Sequence, residues 1–219
     1  LPFGIFNLIL DYSKVNNVKI AIVGGYIRDL LIRKIHKHST INSVDLDVVI
    51  EGSAISLAKF IKRNIKNVEL CLIKEFDLYN TVEINIDDIK VDIASSREEL
   101  YLAPGLNPSV KDSTIKEDLR RRDFSINALA FDIQKRELYD LFDGFNHIKN
   151  KELHFLHNKS VEDDPSRILR CAKYASRLNF NISEESLAQV QNSIHKWPWK
   201  SLESESKIKF PPAISIRLR

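Results

Sequence analysis

The sequence predicts an α+β fold, in which a mixed sheet of about five strands with helices is followed by an all-α segment. Two observations predict it. Up to about residue 150, short apolar runs typical of strands alternate with segments of helical periodicity. From residue 151 onwards, apolar residues recur mainly at helical spacing. We therefore divide the chain into a first domain at residues 1–150 and a helical second domain at residues 151–219.

Five segments have the apolar content or the alternation of strands, and others have the periodicity of helices. The predicted strands are 18–23, 44–50, 68–73, 81–86 and 89–94. The predicted helices are 3–17, 26–35, 54–64 and 183–194, together with one that begins near Pro165, a residue suited to a first helical turn. The Asp87-Asp88 pair fits a hairpin turn between the last two strands.

Two carboxylates interrupt the apolar strand at residues 44–50. Residues two apart on a strand project from the same face, so Asp45 and Asp47 point into one small volume. An Asp-x-Asp pair is more commonly solvated, but the Val, Leu and Ile neighbours predict burial here. Buried carboxylates are costly unless they are paired or bind a metal, and Mg²⁺ prefers one or two carboxylates plus substrate phosphates. We therefore expect this pair to bind Mg²⁺.

A glycine pair precedes the helix at residues 26–35 and follows the strand at residues 18–23. Gly24 and Gly25 would let the backbone approach a ligand closely, and the helix N-terminus behind them favours an anion. A lone Gly-Gly is usually only a turn. Together with the paired carboxylates, however, it predicts a metal-dependent site for nucleotidyl transfer.

Two later segments carry arginines beside carboxylates, at residues 118–130 and 163–170. Arginine forks suit phosphate oxygens. Asp123 can accept a hydrogen bond from a ribose hydroxyl, and Asn127, one helical turn later, can brace it. Asp164 suits a helix N-cap and shares a helix face with Arg167. Taken alone, these segments would also fit a solvated basic turn and a capped helix with an internal ion pair.

Three motifs in this order resemble the signatures of the class II tRNA nucleotidyltransferase and bacterial poly(A) polymerase family, within the polymerase β-like nucleotidyltransferase superfamily. They are residues 23–29 with 45–47, residues 118–130, and residues 163–170. Residues 140–144 resemble a further, hinge-like family motif more loosely. An arginine and a tyrosine at the offsets of Arg97 and Tyr101 also recur in the family. The resemblance implies a polymerase β-like head at residues 1–150 and an all-α neck at residues 151–219.

The resemblance also implies roles for single residues. Asp45 and Asp47 would bind Mg²⁺ in a two-metal arrangement, and Asp92, from the strand at 89–94, would be the third carboxylate, which activates the attacking hydroxyl. The residues implied to bind the nucleotide are Gly24, Gly25, Arg28, Arg122, Asp123, Asn127, Asp164, Arg167 and Arg170. The first three would bind the triphosphate and the next three the ribose and phosphates. Asp164 with Arg167 would read the base edge.

The implied activity is Mg²⁺-dependent addition of C and/or A nucleotides from CTP and ATP to the 3′ end of tRNA. A poly(A) polymerase and a split-specificity enzyme that adds only CC or only A stay open as alternatives. So does a different class, an RNA-binding module with an inactive head. The patterns also leave the nucleotide preference and the oligomeric state open. Family members continue into helical body and tail domains, so we expect that C-terminal part to be missing from this chain.

The composition is that of an ordinary globular protein, with 43% hydrophobic and 29% charged residues and a net charge of +3. Because this charge is small, only local arginine clusters indicate binding of nucleic acid. No apolar run approaches the length of a membrane span, and no secretory leader is recognisable at the start. Cys71 and Cys171 lack metal-site spacing and fit buried thiols in a reducing compartment. We expect a cytoplasmic protein with no membrane partner.

Overall fold

The fold is described from a computed structural model, for residues 3–37, 45–65, 71–76, 80–86, 89–102, 105 and 107–196. The helices are α1 (Phe3–Asn16), α2 (Gly25–His36), α3 (Ala54–Asn64), α4 (Ile115–Arg120), α5 (Gly144–Asn150), α6 (Ser160–Asp163), α7 (Ser166–Leu178) and α8 (Glu184–Lys196). The strands are β1 (Ile20–Val23), β2 (Leu46–Ile50), β3 (Cys71–Phe76), β4 (Thr81–Ile86), β5 (Ile89–Ser95), β6 (Arg97–Leu100), β7 (Ser109–Asp112), β8 (Leu129–Asp132), β9 (Glu137–Asp140), β10 (Glu152–Leu153) and β11 (Asn181–Ile182). A short 3-10 helix covers Ser125–Asn127.

The α+β class is confirmed, and the main sheet is mixed. In the described residues it has seven strands in the order β3-β4-β5-β2-β1-β8-β9. Within it, β2 and β5 pair in parallel, whereas β1 pairs antiparallel with both β2 and β8. The sequence predicts about five of these strands. It misses β8 and β9 because each has only four residues and lies beside motifs interpreted by their polar residues.

The sheet separates two apolar clusters, as the period-2 alternation of strand side chains requires. In β1, Ile20 and Ile22 belong to a large cluster with α1, α2 and α3. Ala21 and Val23 face a smaller cluster that includes Ile115 and Leu119 of α4. Since all of β1 is buried, it reads as a continuous apolar run. The carboxylates of β2 and β5 alternate with residues of the large cluster and therefore lie on the α4 face of the sheet.

Several predicted boundaries agree closely with the structure. The helix predicted at 54–64 has those bounds, and Ser53 caps it by accepting a hydrogen bond from the Ser56 backbone N–H at 3.2 Å. The strand predicted at 68–73 is observed as β3, three residues later, with residues 66–70 outside the described part. The Asp87-Asp88 turn also lies outside the described residues.

The second part of the chain is helical, with α6, α7 and α8, although β10 and β11 add a small parallel pair. Its helix α7 packs on the first part: the Tyr174 and Phe124 ring centroids lie 5.6 Å apart. The large apolar cluster includes residues on both sides of position 150. The domain boundary at 150 and the extent of the second domain to 219 therefore stay predictions. In the described residues, no helix has the length and apolar character needed to cross a bilayer.

Candidate active site

Strand pairing brings the predicted carboxylates to one place on the sheet. Asp47 lies in β2, and its Cα pairs with that of Asp92 in the parallel neighbour β5. On its other side, Asp47 pairs with Val23, the last residue of β1. Asp45 lies one residue before β2 and is exposed. The sequence could not define which strands are neighbours, but it did place these three residues in apolar segments that turn out to be adjacent.

Two of these carboxylates, Asp47 and Asp92, have raised pKa values. Burial, followed by the charges of Asp92 and Asp45, raises the pKa of Asp47, although Arg122 and the Gly25 backbone N–H oppose this. Burial also raises the pKa of Asp92, while Lys90 opposes the rise with an ion pair of 3.1 Å. Each carboxylate is therefore harder to ionise than an isolated aspartate, which is the condition that a bound cation relieves.

The glycine turn lies directly against Asp47. Gly24 has φ +69°, in the left-handed region that favours glycine. A Cβ added to Gly24 would lie 3.0 Å from Asp47 Oδ2 and 3.1 Å from an Arg122 guanidinium nitrogen. The Gly25 backbone N–H donates to Asp47 at the start of α2. A side chain at position 24 would therefore crowd both the carboxylate and the arginine, whereas the approach of a ligand to Gly24 and Gly25 stays a prediction.

The arginine motif is held in place by a carboxylate that the sequence analysis did not single out. Asp118 is fully buried, and Arg121 donates to its Oδ1 from Nε at 3.0 Å and from Nη2 at 2.6 Å. Arg122 donates to Oδ2 at 3.0 Å. Among the described residues, nothing accepts a hydrogen bond from the buried Nε of Arg122. Arg122 also donates from Nη1 to the Asn127 backbone carbonyl at 3.4 Å, so both terminal nitrogens of its guanidinium are held.

Asp123 and Asn127 are both buried and bonded to each other, with Asn127 donating to Asp123 Oδ1 at 2.9 Å. The predicted brace is therefore present, although the backbone forms a 3-10 helix rather than the predicted helical turn. Arg170 donates from Nε to Asp123 Oδ2 at 2.6 Å. Burial raises the pKa of Asp123, but Arg170 and Asn127 outweigh burial and hold that pKa below its usual value.

Arg28 lies behind the glycine turn and is only 2% exposed. It donates to Asp29 at 2.7 Å and to the side-chain oxygen of Asn127 at 2.6 Å. The sequence-based expectation was direct contact with the triphosphate, whereas the structure shows a brace between α2 and the arginine motif. This contact crosses 99 positions of the chain, which no local pattern can reveal.

Arg28 is also part of a series of polar contacts between the first part of the chain and α7. The series forms a closed ring because both of its end residues lie on α7. Asp29 accepts from Arg177 of α7 at 3.3 Å, and the Tyr174 ring of α7 lies 5.0 Å from the Arg28 guanidinium carbon. The ring of contacts runs, in order, through Arg170, Asp123, Asn127, Arg28, Asp29 and Arg177. It begins and ends on α7.

The predicted base-reading pair is buried at the start of α7. Asp164 accepts from the Ser166 backbone N–H at 3.0 Å, as an N-terminal cap would. Arg167 donates to Ser160 Oγ at 2.6 Å and to the Arg121 backbone carbonyl at 2.7 Å. The Arg167 Nε and Asp164 Oδ2 atoms are 4.0 Å apart, so the two side chains do share a face.

These elements surround a polar cavity of about 260 Å³. Predicted residues that line it are Gly24, Gly25, Asp47, Arg122, Asp123, Asn127, Arg167 and Arg170. Arg97, Glu99, Tyr101, Arg121 and Tyr174 also line it, and the site prediction omitted them. A signal for three of them was present, because Arg97, Glu99 and Tyr101 alternate at the spacing of one strand face.

The donor set fits a divalent cation with nucleotide phosphates. Asp47, in the cavity wall, and the exposed Asp45, which is not part of that wall, offer hard oxygen ligands, while the arginines beside Asp47 suit anionic groups. The described residues contain no group of three His, Cys, Asp or Glu that could hold a metal by itself. That result is compatible with Mg²⁺, which binds through one or two carboxylates and takes further ligands from water and substrate.

Comparison with known proteins decides the family. Residues 20–154 match the poly(A) polymerase head domain, which is more than half of the chain. The chain belongs to the poly(A) polymerase head-domain family. Members of this family typically use a divalent metal ion.

Relatives of this head-domain protein are tRNA nucleotidyltransferases. The A-adding tRNA nucleotidyltransferase of Aquifex aeolicus is 37% identical over 178 residues, which are 80% of this chain and 20% of that protein. The CC-adding enzyme of Deinococcus radiodurans is 32% identical over 187 residues, 81% of this chain and 46% of that protein. The chain therefore spans less than half the length of these curated relatives.

Solved structures confirm the head-domain fold. A tRNA nucleotidyltransferase solved with a primer tRNA and an incoming ATP analogue superposes with a TM-score of 0.72 at 31% identity, over 89% of this chain and 51% of that one. An apo CCA-adding enzyme gives a TM-score of 0.78 at 30% identity, over 97% of this chain and 51% of that one.

Proposed function

We propose that this chain carries the catalytic site of a Mg²⁺-dependent nucleotidyltransferase that adds C and/or A nucleotides from CTP and ATP to the 3′ end of tRNA. One observation carries the proposal: Gly24, Asp47 and Arg122 line one polar cavity, and a Cβ added to Gly24 would lie 3.0 Å from Asp47 Oδ2 and 3.1 Å from an Arg122 guanidinium nitrogen. The family and the names of the relatives support the same activity.

In the proposed reaction, the terminal 3′ oxygen of the RNA bonds to the α-phosphorus of the nucleotide, and the bond to pyrophosphate breaks. Mg²⁺ held by Asp45 and Asp47 would stabilise the negative charge of the phosphates as a Lewis acid. Arg122, which lines the cavity, would bind phosphate oxygens, and the glycine turn would let them approach the backbone. Asp92, adjacent to Asp47, is the proposed third carboxylate.

The remaining predicted residues form the walls for the ribose and base. Asp123 is already bonded to Asn127 and Arg170, so we propose that the three act as one unit on the ribose side. Arg167 lines the cavity, while Asp164 holds the start of α7 beside it, and we propose that this pair faces the base edge. Arg28 would act by bracing Asn127 rather than by touching phosphate.

The test is incorporation of labelled nucleotide with Mg²⁺. Transcripts of tRNA that lack the last one, two or three nucleotides are each offered CTP alone, ATP alone or both. Stepwise addition that stops at CCA supports CCA addition, and a long adenosine tract would identify a poly(A) polymerase. Asp45→Ala/Asp47→Ala should abolish incorporation, whereas Asp112→Ala, an exposed strand aspartate outside the cavity, should not. Incorporation by the double variant would overturn the mechanism.

A second candidate is an enzyme that adds only the terminal A. Three relatives with this name are 33–37% identical to the chain, and they come from Aquifex aeolicus, Geobacter sulfurreducens and Halalkalibacterium halodurans. The same assay separates it, because such an enzyme extends only the acceptor that lacks one nucleotide. RNA binding that is indifferent to Mg²⁺ and nucleotide, without incorporation, would instead identify an inactive RNA-binding head.

A further inference from the structure

Glu99 is a nearly buried carboxylate that joins three side chains at one end of the cavity. Its side chain is 7% exposed. Its Oε1 accepts from Arg97 Nε at 3.1 Å, from Arg97 Nη2 at 3.0 Å and from Arg121 Nη1 at 2.9 Å. Its Oε2 accepts from the Tyr101 hydroxyl at 2.8 Å. Burial opposes its charge, but Arg121, Tyr101 and Arg97 outweigh burial and lower the pKa of Glu99.

Two of these partners lead directly to the proposed base end of the site. The Arg121 backbone carbonyl accepts a hydrogen bond of 2.7 Å from Arg167, which Ser160 also holds through its Oγ at 2.6 Å. Burial and Glu99 raise the pKa of the Tyr101 hydroxyl, and the charge of Arg167 opposes this rise. Arg97, Glu99, Tyr101, Arg121 and Arg167 all line the cavity.

Glu99 connects separate elements of the fold. It lies on β6, which with β7 forms a two-stranded hairpin outside the main sheet. Arg121 follows α4 and is held there by Asp118. The carboxylate therefore fixes the hairpin to the arginine motif. Its single negative charge is shared by the guanidinium groups of Arg97 and Arg121.

The neighbouring Glu98 gives a contrast within the same strand. It points away, with a side chain 47% exposed and a 3.5 Å pair to Lys111, which is 81% exposed. Exposed pairs of this kind contribute little to stability. The two adjacent glutamates therefore differ in burial and in contact with the cavity.

We propose that Glu99 is a positioning residue for nucleotide selection, which holds Tyr101 and Arg121, and through Arg121 the side chain of Arg167, at the base end of the cavity. This inference rests on the proposed function and extends it to Glu99, which lies between Arg97 and Tyr101 in a segment that also resembles the family. Without the carboxylate, Arg97 and Tyr101 lose this acceptor and Arg121 keeps only Asp118, so Arg97 can turn towards phosphate and the wall that meets the base loses its fixed position.

The test compares Glu99→Gln and Glu98→Gln in the whole protein. For each, kcat and KM are measured separately for ATP and CTP on an acceptor that the wild type extends. Loss of a charge-assisted contact should lower kcat/KM for the preferred nucleotide by roughly 10- to 100-fold. The other nucleotide should lose less, so that the ratio of the two kcat/KM values falls about tenfold, whereas Glu98→Gln should match the wild type.

A double-variant cycle with Tyr101→Phe adds a readout that a folding defect does not produce. If Glu99 acts through Tyr101, Glu99→Gln should reduce selectivity less in the Tyr101→Phe background than in the wild type. Equal loss for ATP and CTP, or wild-type selectivity in Glu99→Gln, would overturn the proposal. If the wild type itself incorporates nothing, the proposed function fails. In that case, calorimetry measures the affinities for Mg·ATP and Mg·CTP in the wild type and in Glu99→Gln. If the wild type binds the two nucleotides with different affinity and Glu99→Gln keeps that difference, the proposal is overturned.

Discussion

Replacing Asp118 by Asn should strongly destabilise the fold, since this carboxylate holds the arginine motif. Its side chain is fully buried and accepts from Arg121 at 2.6 and 3.0 Å and from Arg122 at 3.0 Å. Both arginines are less than 20% exposed, so solvent cannot replace the lost acceptor. Breaking a buried charge pair typically costs about 3–5 kcal/mol. For a domain of this size, that corresponds to a fall in Tm on the order of 10 °C.

The pH dependence of this effect has a defined sign. Burial opposes ionisation of Asp118, but Arg122 and Arg121 outweigh burial and lower its pKa below the usual value. A carboxyl whose pKa is lower in the folded state stabilises the fold above its unfolded pKa, near 4, and loses this contribution as the pH falls through the folded value. The gap in unfolding free energy between wild type and Asp118→Asn should therefore be largest near neutral pH and shrink in acid.

Urea unfolding followed by circular dichroism measures both effects. Glu117→Gln is the matched control, because Glu117 precedes Asp118 on α4 and pairs with Arg120 at 2.8 Å, but both side chains are exposed. This control should change the unfolding free energy by less than about 0.5 kcal/mol. A loss below about 1 kcal/mol in Asp118→Asn, or a gap that does not change with pH, would refute the reasoning.

Three further predictions concern the site itself. Asp47→Asn should abolish nucleotide transfer yet raise the Tm in EDTA at neutral pH, because the raised pKa of Asp47 means that its ionised form destabilises the fold; a lower Tm would contradict this. Gly24→Ala, at φ +69°, should cost about 1 kcal/mol of stability in urea unfolding and weaken the binding of Mg·ATP measured by calorimetry. The control is Gly4→Ala, because a Cβ at Gly4 would have nothing within 4 Å. Equal behaviour of the two variants would argue against crowding of Asp47 and Arg122 by a side chain at position 24. Arg28→Ala should cost about 3–5 kcal/mol in the same unfolding assay, since it leaves the 1%-exposed Asp29 without its main cation, and a near-wild-type midpoint would exclude a bracing role.

The sequence predicts the local parts of the site well, because their signals lie within a few residues. Asp45 and Asp47 alternate with apolar neighbours, and Gly24 and Gly25 lie between a strand and a helix. Both patterns are fixed by the geometry of one element and its turn. The predicted positions of Asp47, Gly24 and Gly25 therefore agree with the structure, whereas the predicted burial of Asp45 is wrong because β2 begins one residue after it; the chemical roles stay proposals.

Contacts between distant segments could not be predicted in this way. Nothing near Arg28 in the sequence shows that its guanidinium is bonded to Asn127, and an exposed phosphate ligand fits the local pattern equally well. Likewise, Asp118 looks like an ordinary surface acid, and the alternation around Glu99 does not show that it contacts Arg121, until β6 is placed beside α4. Which polar groups become buried depends on the packing of elements, and a single sequence does not encode that packing in any local period.

The closed ring of contacts on α7 has a consequence for how this protein can change over generations. Its four inner members each bond to two neighbours, and Arg170 and Arg177 at its ends each bond to one, so a single replacement leaves one or two partners without a match. Compensation then has to come from positions as far apart in the chain as Asp29 and Arg177. Few single substitutions should therefore be tolerated at these positions, and tolerated changes should occur as pairs of substitutions. Libraries that vary one member at a time should recover mostly the parental residue.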